Sequence, residues 1–559
     1  MTAPRKRKAK TEDASSSRPT KQLKLGETVA NRKSVDQAVM NFVIQSLQPF
    51  SVVDQPSFQE LLKDLQPNAP LMSRTTLRRR IDDAALDMKR NIKEAMSTVS
   101  VIATTTDCWS TRRRGFLGVT AHWLDPSTLE RCSVALACRQ LKGSHTFDVL
   151  GSALNEIHSE FGIQHKIVRT TTDNGSNFLK AFRMYGEQDE NNNATVSDES
   201  EDDGEEMGDE DQHLEGEVDF VDVTAILNED DGLQFQLPKH HRCACHLLNL
   251  VSTVDAEKAT SHDAYKRLSR STFSKCYALW NKCGRATTAA EMVEDVCKIQ
   301  LIHPNATKWN SLLFAVERIL RIVKDQGEGA LRTLFTALKL PRLSSVEIAF
   351  LEEYARTMGP VSKALNILQG ESDVQMGWLL PTLTLLITKL DKIRITSRYC
   401  KPLVDAVQEG LQHRFADMLV EPEFIAAAIL VPKYKTSWTC MDYIKGHLEE
   451  DSAHLSPANG SSESDDEDFF ASFKKSAGQE GVKQLEGYLA SKIDHKDVLK
   501  SYPAVCKLSL KLNTALPASA ACERLFSTAG LIFSPRRARL DAKKFENQLL
   551  LKRNRKYLS

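Results

Sequence analysis

The sequence predicts an α/β protein in which a short sheet-forming stretch precedes a long helical block. Three observations lead there. Between Val99 and Tyr185 the residue pattern reads strand, strand, strand, helix, strand, helix. From residue 261 to about 455 the pattern is helical throughout, rich in Leu and poor in strand signals. Two flanking stretches, a basic one at 1–33 and an acidic one at 187–237, hold too few apolar residues to build a core and are expected to be disordered.

The chain has 559 residues, 41% hydrophobic and 26% charged, with zero formal net charge. That composition fits a soluble globular protein and excludes a collagen, a mucin or a wholly disordered chain. The longest apolar stretches, 378–387 and 424–431, fall well short of the roughly 20 residues that span a bilayer, so no membrane partner is expected. The neutral total hides local asymmetry. Residues 1–33 carry ten Lys/Arg against three Asp/Glu, and residues 187–237 carry twenty Asp/Glu and no Lys or Arg. The chain opens with Pro4-Arg5-Lys6-Arg7-Lys8-Ala9-Lys10, followed by Lys21 and Lys24, with no apolar signal core. This run reads as a nuclear import signal, so the expected compartment is the nucleus and the twelve cysteines are expected to stay reduced.

Residues 34–98 form a helical N-terminal region. Val39, Phe42, Val43 and Leu47 make one apolar stripe, and Phe58, Leu61, Leu62 and Leu65 make a second. Ser73 is placed to cap a third helix that carries Arg74, Arg78, Arg79 and Arg80. The sheet-forming region, 99–186, starts with the β-branched run from Val99 to Thr106. Two more strands are expected near 116–123 and 132–140, turning at Asp125-Pro126-Ser127. A helix over 147–161 should stop at Gly162, and a fourth strand at 166–172 should lead into a helix at 176–185. After the acidic insertion, 238–260 continues this region, and 261–480 is the helical block. A second acidic stretch, 461–468, precedes the mixed closing region 481–559, which ends in an apolar, basic helix.

Two aspartates sit at strand ends. Thr104-Thr105-Thr106-Asp107 closes the first strand and Thr170-Thr171-Thr172-Asp173 closes the fourth. A helical crossover between strands of one sheet makes them parallel, which puts both carboxyl ends on one edge, the edge where open α/β sheets place their chemistry. Two carboxylates there suit Mg²⁺, which takes one or two of them together with substrate phosphate oxygens. Asp after a strand is also ordinary turn and cap chemistry, as Asn174-Gly175-Ser176-Asn177 illustrates.

The closing region separates these readings. Leu516-Pro517-Ala518-Ser519-Ala520-Ala521-Cys522-Glu523-Arg524-Leu525-Phe526-Ser527-Thr528-Ala529-Gly530, then Phe533-Ser534-Pro535-Arg536-Arg537-Ala538-Arg539-Leu540 and a Leu-rich helix, resembles the C-terminal dimerisation region of hAT-superfamily transposases. Further blocks resemble that family in the same order. They are Thr106-Asp107-Cys108-Trp109-Ser110, Thr172-Asp173-Asn174-Gly175-Ser176-Asn177, the Cys-x-x-His run from Cys243 to His246, Lys308-Trp309-Asn310-Ser311, and Ile429-Leu430-Val431-Pro432-Lys433-Tyr434-Lys435. The resemblance spans about 36–559 and implies a ribonuclease-H-like catalytic core, 99–186 with 238–260 and 481–559, interrupted by the helical insertion at 261–480.

It also implies roles. Asp107, Asp173 and Glu523 would form a catalytic triad holding Mg²⁺ or Mn²⁺. Cys243 and His246 would be structural, and no structural zinc is expected, since a closed site needs four ligands. Trp309 would stack on a flipped base beside Lys308, with Arg536, Arg537 and Arg539 on DNA phosphates. Leu525, Phe526, Phe545, Leu549 and Leu550 are the candidates for self-association, some of them also closing the core. Pro517 would open the helix of Glu523 and Gly530 would stop it. Four features depart from the family, one of them the unusually long acidic insertion at 187–237. No Cys or His occurs before residue 100 to build a BED-type zinc finger, Lys308 stands where Arg is usual, and 494–502 lacks paired tryptophans. Two main functions therefore stay open, a metal-dependent transposase core and a dimeric, transposase-derived DNA-binding regulator without catalysis. A protein-interaction scaffold is the third.

Overall fold

The structure is a computed structural model that describes residues 32–65, 71–111, 114–143, 146–186, 235–305, 309–371, 373–438, 481, 483–533 and 540–558. The basic tail before Arg32, the acidic insertion over 187–234 and the second acidic stretch lie outside the described residues. The chain divides into two compact units, 1–83 and 84–559, with the boundary inside a helix.

In the first unit, α1 (Arg32–Gln45), a 3₁₀ turn (Phe50–Asp54), α2 (Pro56–Leu65) and the start of α3 (Arg74–Ser97) enclose a small core of Val39, Val43, Ile44, Val53, Leu77 and Ile81. Ser73 caps α3 as expected, its Oγ accepting from the Thr76 N–H at 3.2 Å. Arg80 pairs with Asp36 at 2.6 Å, and Arg78 and Arg79 are exposed. The two apolar stripes are only partly used. Phe42 is 42% exposed and stacks on Phe58 at 5.6 Å, while Leu61 and Leu65 face solvent. The reason is that α2 buries none of its residues completely, so its apolar face has no second layer over it.

The second unit is built on a five-stranded sheet of order β3-β2-β1-β4-β5. Its strands are β1 (Ile102–Thr111), β2 (Arg114–Leu124), β3 (Arg131–Leu141), β4 (Ile167–Thr172) and β5 (His240–Arg242). β1, β2 and β3 are antiparallel neighbours, whereas β4 lies parallel to β1 and β5 parallel to β4. The turn at Asp125 is made by its own carboxylate, which accepts from the N–H groups of Ser127 and Thr128. α4 (Phe147–Phe161) ends on Gly162 at φ +66°, the left-handed backbone that favours glycine, and α5 (Ser176–Tyr185) follows β4. The threonine-rich strands are buried because their hydroxyls pair with each other. Thr104 meets Thr170 at 2.7 Å and Thr105 meets Thr120 at 2.6 Å.

Two expectations about the sheet need correction. β1 does not close at Asp107; it continues to Thr111 because β2 stays paired to it as far as Thr111↔Arg114. The fifth strand, β5, was not expected, since three residues are too few to show alternation.

α6 (Ala244–Leu250) follows β5 and runs into a π-helical turn, Val251–Asp255. Seven helices come next: Asp263–Arg285, Thr287–Cys297, Trp309–Ala337 (broken at Gly327, φ +80°), Ser345–Leu368, Leu379–Thr396, Lys401–Val420 and Pro422–Ile429. They share one hydrophobic core with α6 and with Ala515, Ala518 and Ala520.

The closing region is helical in its described part rather than mixed, with helices at Pro503–Asn513, Ala520–Ile532 and Ala542–Arg553. Pro517 precedes the N-cap Ser519 instead of opening the helix, and its carbonyl accepts from Ala244 N–H at 2.9 Å. Gly530 lies inside the helix, which runs to Ile532. The last helix covers the exposed edge of β3. Asn554 bonds both N–H and C=O of Ala135, and Glu546 accepts from Cys138 N–H at 3.0 Å. No described helix is long and apolar enough to cross a membrane.

Candidate functional site

The parallel ladder between β1 and β4 ends at Thr106↔Thr172. Asp107 and Asp173 are the next residue on each strand, so pairing register alone brings them side by side. Alternation then sets their direction. Thr105 shares a face with Asp107, and its hydroxyl lies 3.3 Å from Cys522 Sγ on the helix Ala520–Ile532. Thr171 shares a face with Asp173, and its hydroxyl donates to Leu516 C=O at 2.8 Å. Both aspartates therefore face the closing segment.

The two carboxyls are neighbours at the end of the parallel ladder, and both are half-buried. Burial, and after it the charge of Asp173, push the Asp107 carboxyl well above the usual carboxylate range. The opposing influence is the Cys108 N–H, which donates to Asp107 Oδ1 at 2.7 Å. Asp173 Oδ1 accepts from Gly175 N–H at 3.3 Å. Beside it, Asn174 Oδ1 is buried and meets no donor among the described residues.

Glu523 follows Cys522 and is exposed at the start of the closing helix. It lies near Cys245 of α6, whose thiol is pushed up by its hydrogen bond to Cys243, by burial, and by the charges of Cys243 and Glu523. Cys243 is the N-cap residue of α6, and its sulfur accepts from Ser519 N–H at 3.3 Å. Hydrogen bonding from Cys245 and Ser519 brings its thiol down to about 7 against the effect of burial. His246 is half-buried on the same helix. Among the described residues, no three His, Cys, Asp or Glu side chains are gathered as a ready metal cage.

The residues expected on a dimer face are placed elsewhere. Leu525, Phe526, Phe545, Leu549 and Leu550 are all buried, from 0% to 7% exposed. They close the core because the last two helices must cover the apolar face of β2 and β3. Phe526 lies over Gly118, the partner of Asp107 across β1 and β2, and stacks on Trp109 at 5.8 Å. Lys308, Arg536, Arg537, Arg539 and the side chain of Trp309 lie outside the described residues.

Sequence reading missed two contributors. Gly118 leaves the space that the Phe526 ring fills, and an isolated glycine within an apolar strand was the available signal. His240 bonds the Thr172 hydroxyl at 2.7 Å, and that hydroxyl donates to the Asp173 carbonyl. Burial, then Arg242 and Arg169, lower the His240 pKa to about 3, so it is neutral. Its place directly before the Cys-x-x-His run was the only hint.

This sheet, with neighbouring aspartates just past its last parallel β1–β4 pair and a helix closing over them, agrees with similarities to known proteins. Residues 105–198 match the ZBED1 RNase-like domain family, and residues 495–554 match the hAT family C-terminal dimerisation region. The chain is 30% identical over 213 residues to "Putative AC transposase" of Zea mays, covering 38% of this chain and 22% of that protein. It is 28% identical over 144 residues to "Putative transcriptional regulator tpeD" of Talaromyces stipitatus, 25% of this chain and 17% of the relative. It is 21% identical over 507 residues to "Zinc finger BED domain-containing protein 4" of Homo sapiens, 85% of this chain and 37% of the relative. The chain thus spans about a fifth of the maize relative's length. Together these matches make the chain similar to hAT-superfamily, transposase-derived proteins, with that family's dimerisation region matched over 495–554.

Proposed function

We propose that this chain is a nuclear DNA-binding protein whose ribonuclease-H-like core cuts DNA and transfers strands at Asp107, Asp173 and Glu523. The observation that carries the reading is the side-by-side placement of Asp107 and Asp173 just past the last parallel pair, facing the helix of Glu523. The helices from Asp263 to Ile429 serve as the insertion that brings Trp309 and Lys308 to the DNA.

The donor set fits a hard divalent cation. Two neighbouring carboxylates repel each other when both are ionised, and the unsatisfied Asn174 Oδ1 adds a third oxygen beside Asp173. Mg²⁺ or Mn²⁺ would be held by Asp107 and Asp173, with Glu523 reaching from the closing helix. When bound, it supplies activation of the attacking oxygen and charge stabilisation of the leaving one. The protein's own part is orientation. The Cys108 and Gly175 N–H groups fix one oxygen of each aspartate, His240 steadies the Asp173 backbone through Thr172, and Phe526 keeps water from the floor beside Gly118.

The test is nicking of paired family-type transposon ends and of random duplex, with Mg²⁺, Mn²⁺ or EDTA. Cutting should need metal and should be abolished by Asp107→Asn, Asp173→Asn or Glu523→Gln, with DNA affinity retained. A second reading, a dimeric DNA-binding regulator without catalysis, is favoured by the absence of a gathered three-ligand cage among the described residues and by likeness to a relative named a putative transcriptional regulator. Binding without cutting in any metal selects it.

A further inference from the structure

The helix Asp263–Arg285 carries a row of cations that the catalytic reading does not use. Arg267, Arg270, Tyr277, Asn281 and Arg285 recur at spacings of three, four and seven, so they share one face, with Lys282 at its margin. The opposite face is core: Thr272, Cys276, Leu279 and Trp280 are all buried. All six row residues are exposed, Tyr277 by 41%.

The row is uncompensated. Elsewhere in the helical block Arg321, Arg332, Arg356, Arg394 and Arg414 each meet a carboxylate. Among the described residues none of Arg267, Arg270, Lys282 and Arg285 does, and Lys275, turned toward a neighbouring helix, pairs with Glu347 instead. The one acid on the same face, Asp263, sits at the far N-terminal end.

We infer that this face is a track for the sugar-phosphate backbone of duplex DNA, lying outside the carboxylate site. The inference rests on the reading that the chain acts on nucleic acid. Spacing favours an extended polyanion over a small anion. Arg267 and Arg285 are eighteen residues apart, about 27 Å along the axis, so no single phosphate meets both ends. Duplex DNA, with one charge per roughly 1.7 Å, offers phosphates to both at once. Between the two ends the polar groups are hydrogen-bond donors of the kind that position a phosphate backbone. Tyr277 carries a hydroxyl, and the exposed Asn281, whose Oδ1 lies 3.2 Å from His303 Nε2, has an amide NH₂ not used in that contact.

The experiment measures anisotropy of a labelled random 30-base-pair duplex against the full chain across a salt series. The triple variant Arg267→Glu, Arg270→Glu, Arg285→Glu should bind about 100-fold more weakly at 50 mM salt. Its log–log salt slope should be shallower by about three, at roughly 0.9 per lost phosphate contact. The corresponding triple Lys variant should stay within about three-fold of wild type, because phosphate contact needs charge more than the guanidinium fork. A triple Gln variant guards against unfolding by the new carboxylates. Unchanged affinity and slope in the folded Glu triple or the Gln triple overturns the inference. So does a wild-type chain that ignores duplex but binds a poly-glutamate peptide through this row. Cleavage is scored separately. Row-dependent binding without cutting removes only the catalytic reading, and metal-dependent cutting with row-independent affinity removes only this one.

Discussion

Asp107 is held toward its acid form by burial and then by Asp173, which makes it a cost to the fold at neutral pH. The sign follows from linkage. A carboxyl whose folded pKa is raised lowers stability as pH rises past the ordinary carboxylate value, and the loss grows until the folded value is reached. Asp107→Asn should therefore raise the melting temperature at pH 7, by an amount worth on the order of 1 kcal/mol. The gain should vanish near pH 3, where both forms are neutral; melts at the two pH values check this. Millimolar Mg²⁺ should raise the melt of the wild type and not of Asp107→Asn, since only the paired carboxylates bind it. Substituting a different buried acid should instead destabilise the fold. Glu353, 5% exposed, accepts from the N–H groups of Arg398, Tyr399 and Cys400 ahead of the helix Lys401–Val420. Glu353→Ala strips all three donors and should cost about 3 kcal/mol or more in urea unfolding.

The helix Ala520–Ile532 depends on one missing side chain opposite it. A Cβ at Gly118 would stand 2.6 Å from Phe526 Cζ and 2.8 Å from Cε1. Gly118→Ala should destabilise by about 1–3 kcal/mol, as overpacking does. Phe526→Leu in that background should recover part of the loss, whereas Phe526→Leu alone should lower stability. Chemical denaturation of the three variants measures the coupling, and additive effects would separate the helix from the sheet. The outline of this layer was legible in advance, because the turn at Asp125 between β2 and β3 and the stop at Gly162 are local signals. The end of β1 was not legible, because it depends on how far β2 stays paired. Likewise Gly530, a helix stop by composition, sits in the last turn of a helix that runs on to Ile532, with nothing crowding it.

Self-association belongs to the whole molecule. The dimerisation-region match covers 495–554, yet the apolar residues of that stretch first singled out for a partner are buried in this chain's own core. Leu531, by contrast, is 70% exposed on the closing helix. Sedimentation velocity at micromolar concentration should give a dimer or larger species, and Leu531→Glu should shift it toward monomer without lowering the melting temperature. A monomeric wild type would remove Leu531 from any interface. An unchanged oligomer in the variant would move the interface elsewhere in the matched region.

The amino-acid sequence by itself determined which segments become strands and helices from Val99 to Tyr185, because periodicity, turn residues and caps act over a few positions. It also marked Asp107, Asp173 and Glu523 as candidates, through motifs whose order survives any spacing between them. Only the tertiary structure decided that Asp107 and Asp173 meet, because their contact depends on the register of the β1–β4 ladder across a helical crossover. Tertiary packing alone also assigned Leu525, Phe526, Phe545, Leu549 and Leu550 to the interior. A leucine on a helix carries the same pattern whether its own sheet or a second chain covers it, and burial is a property of what lies opposite.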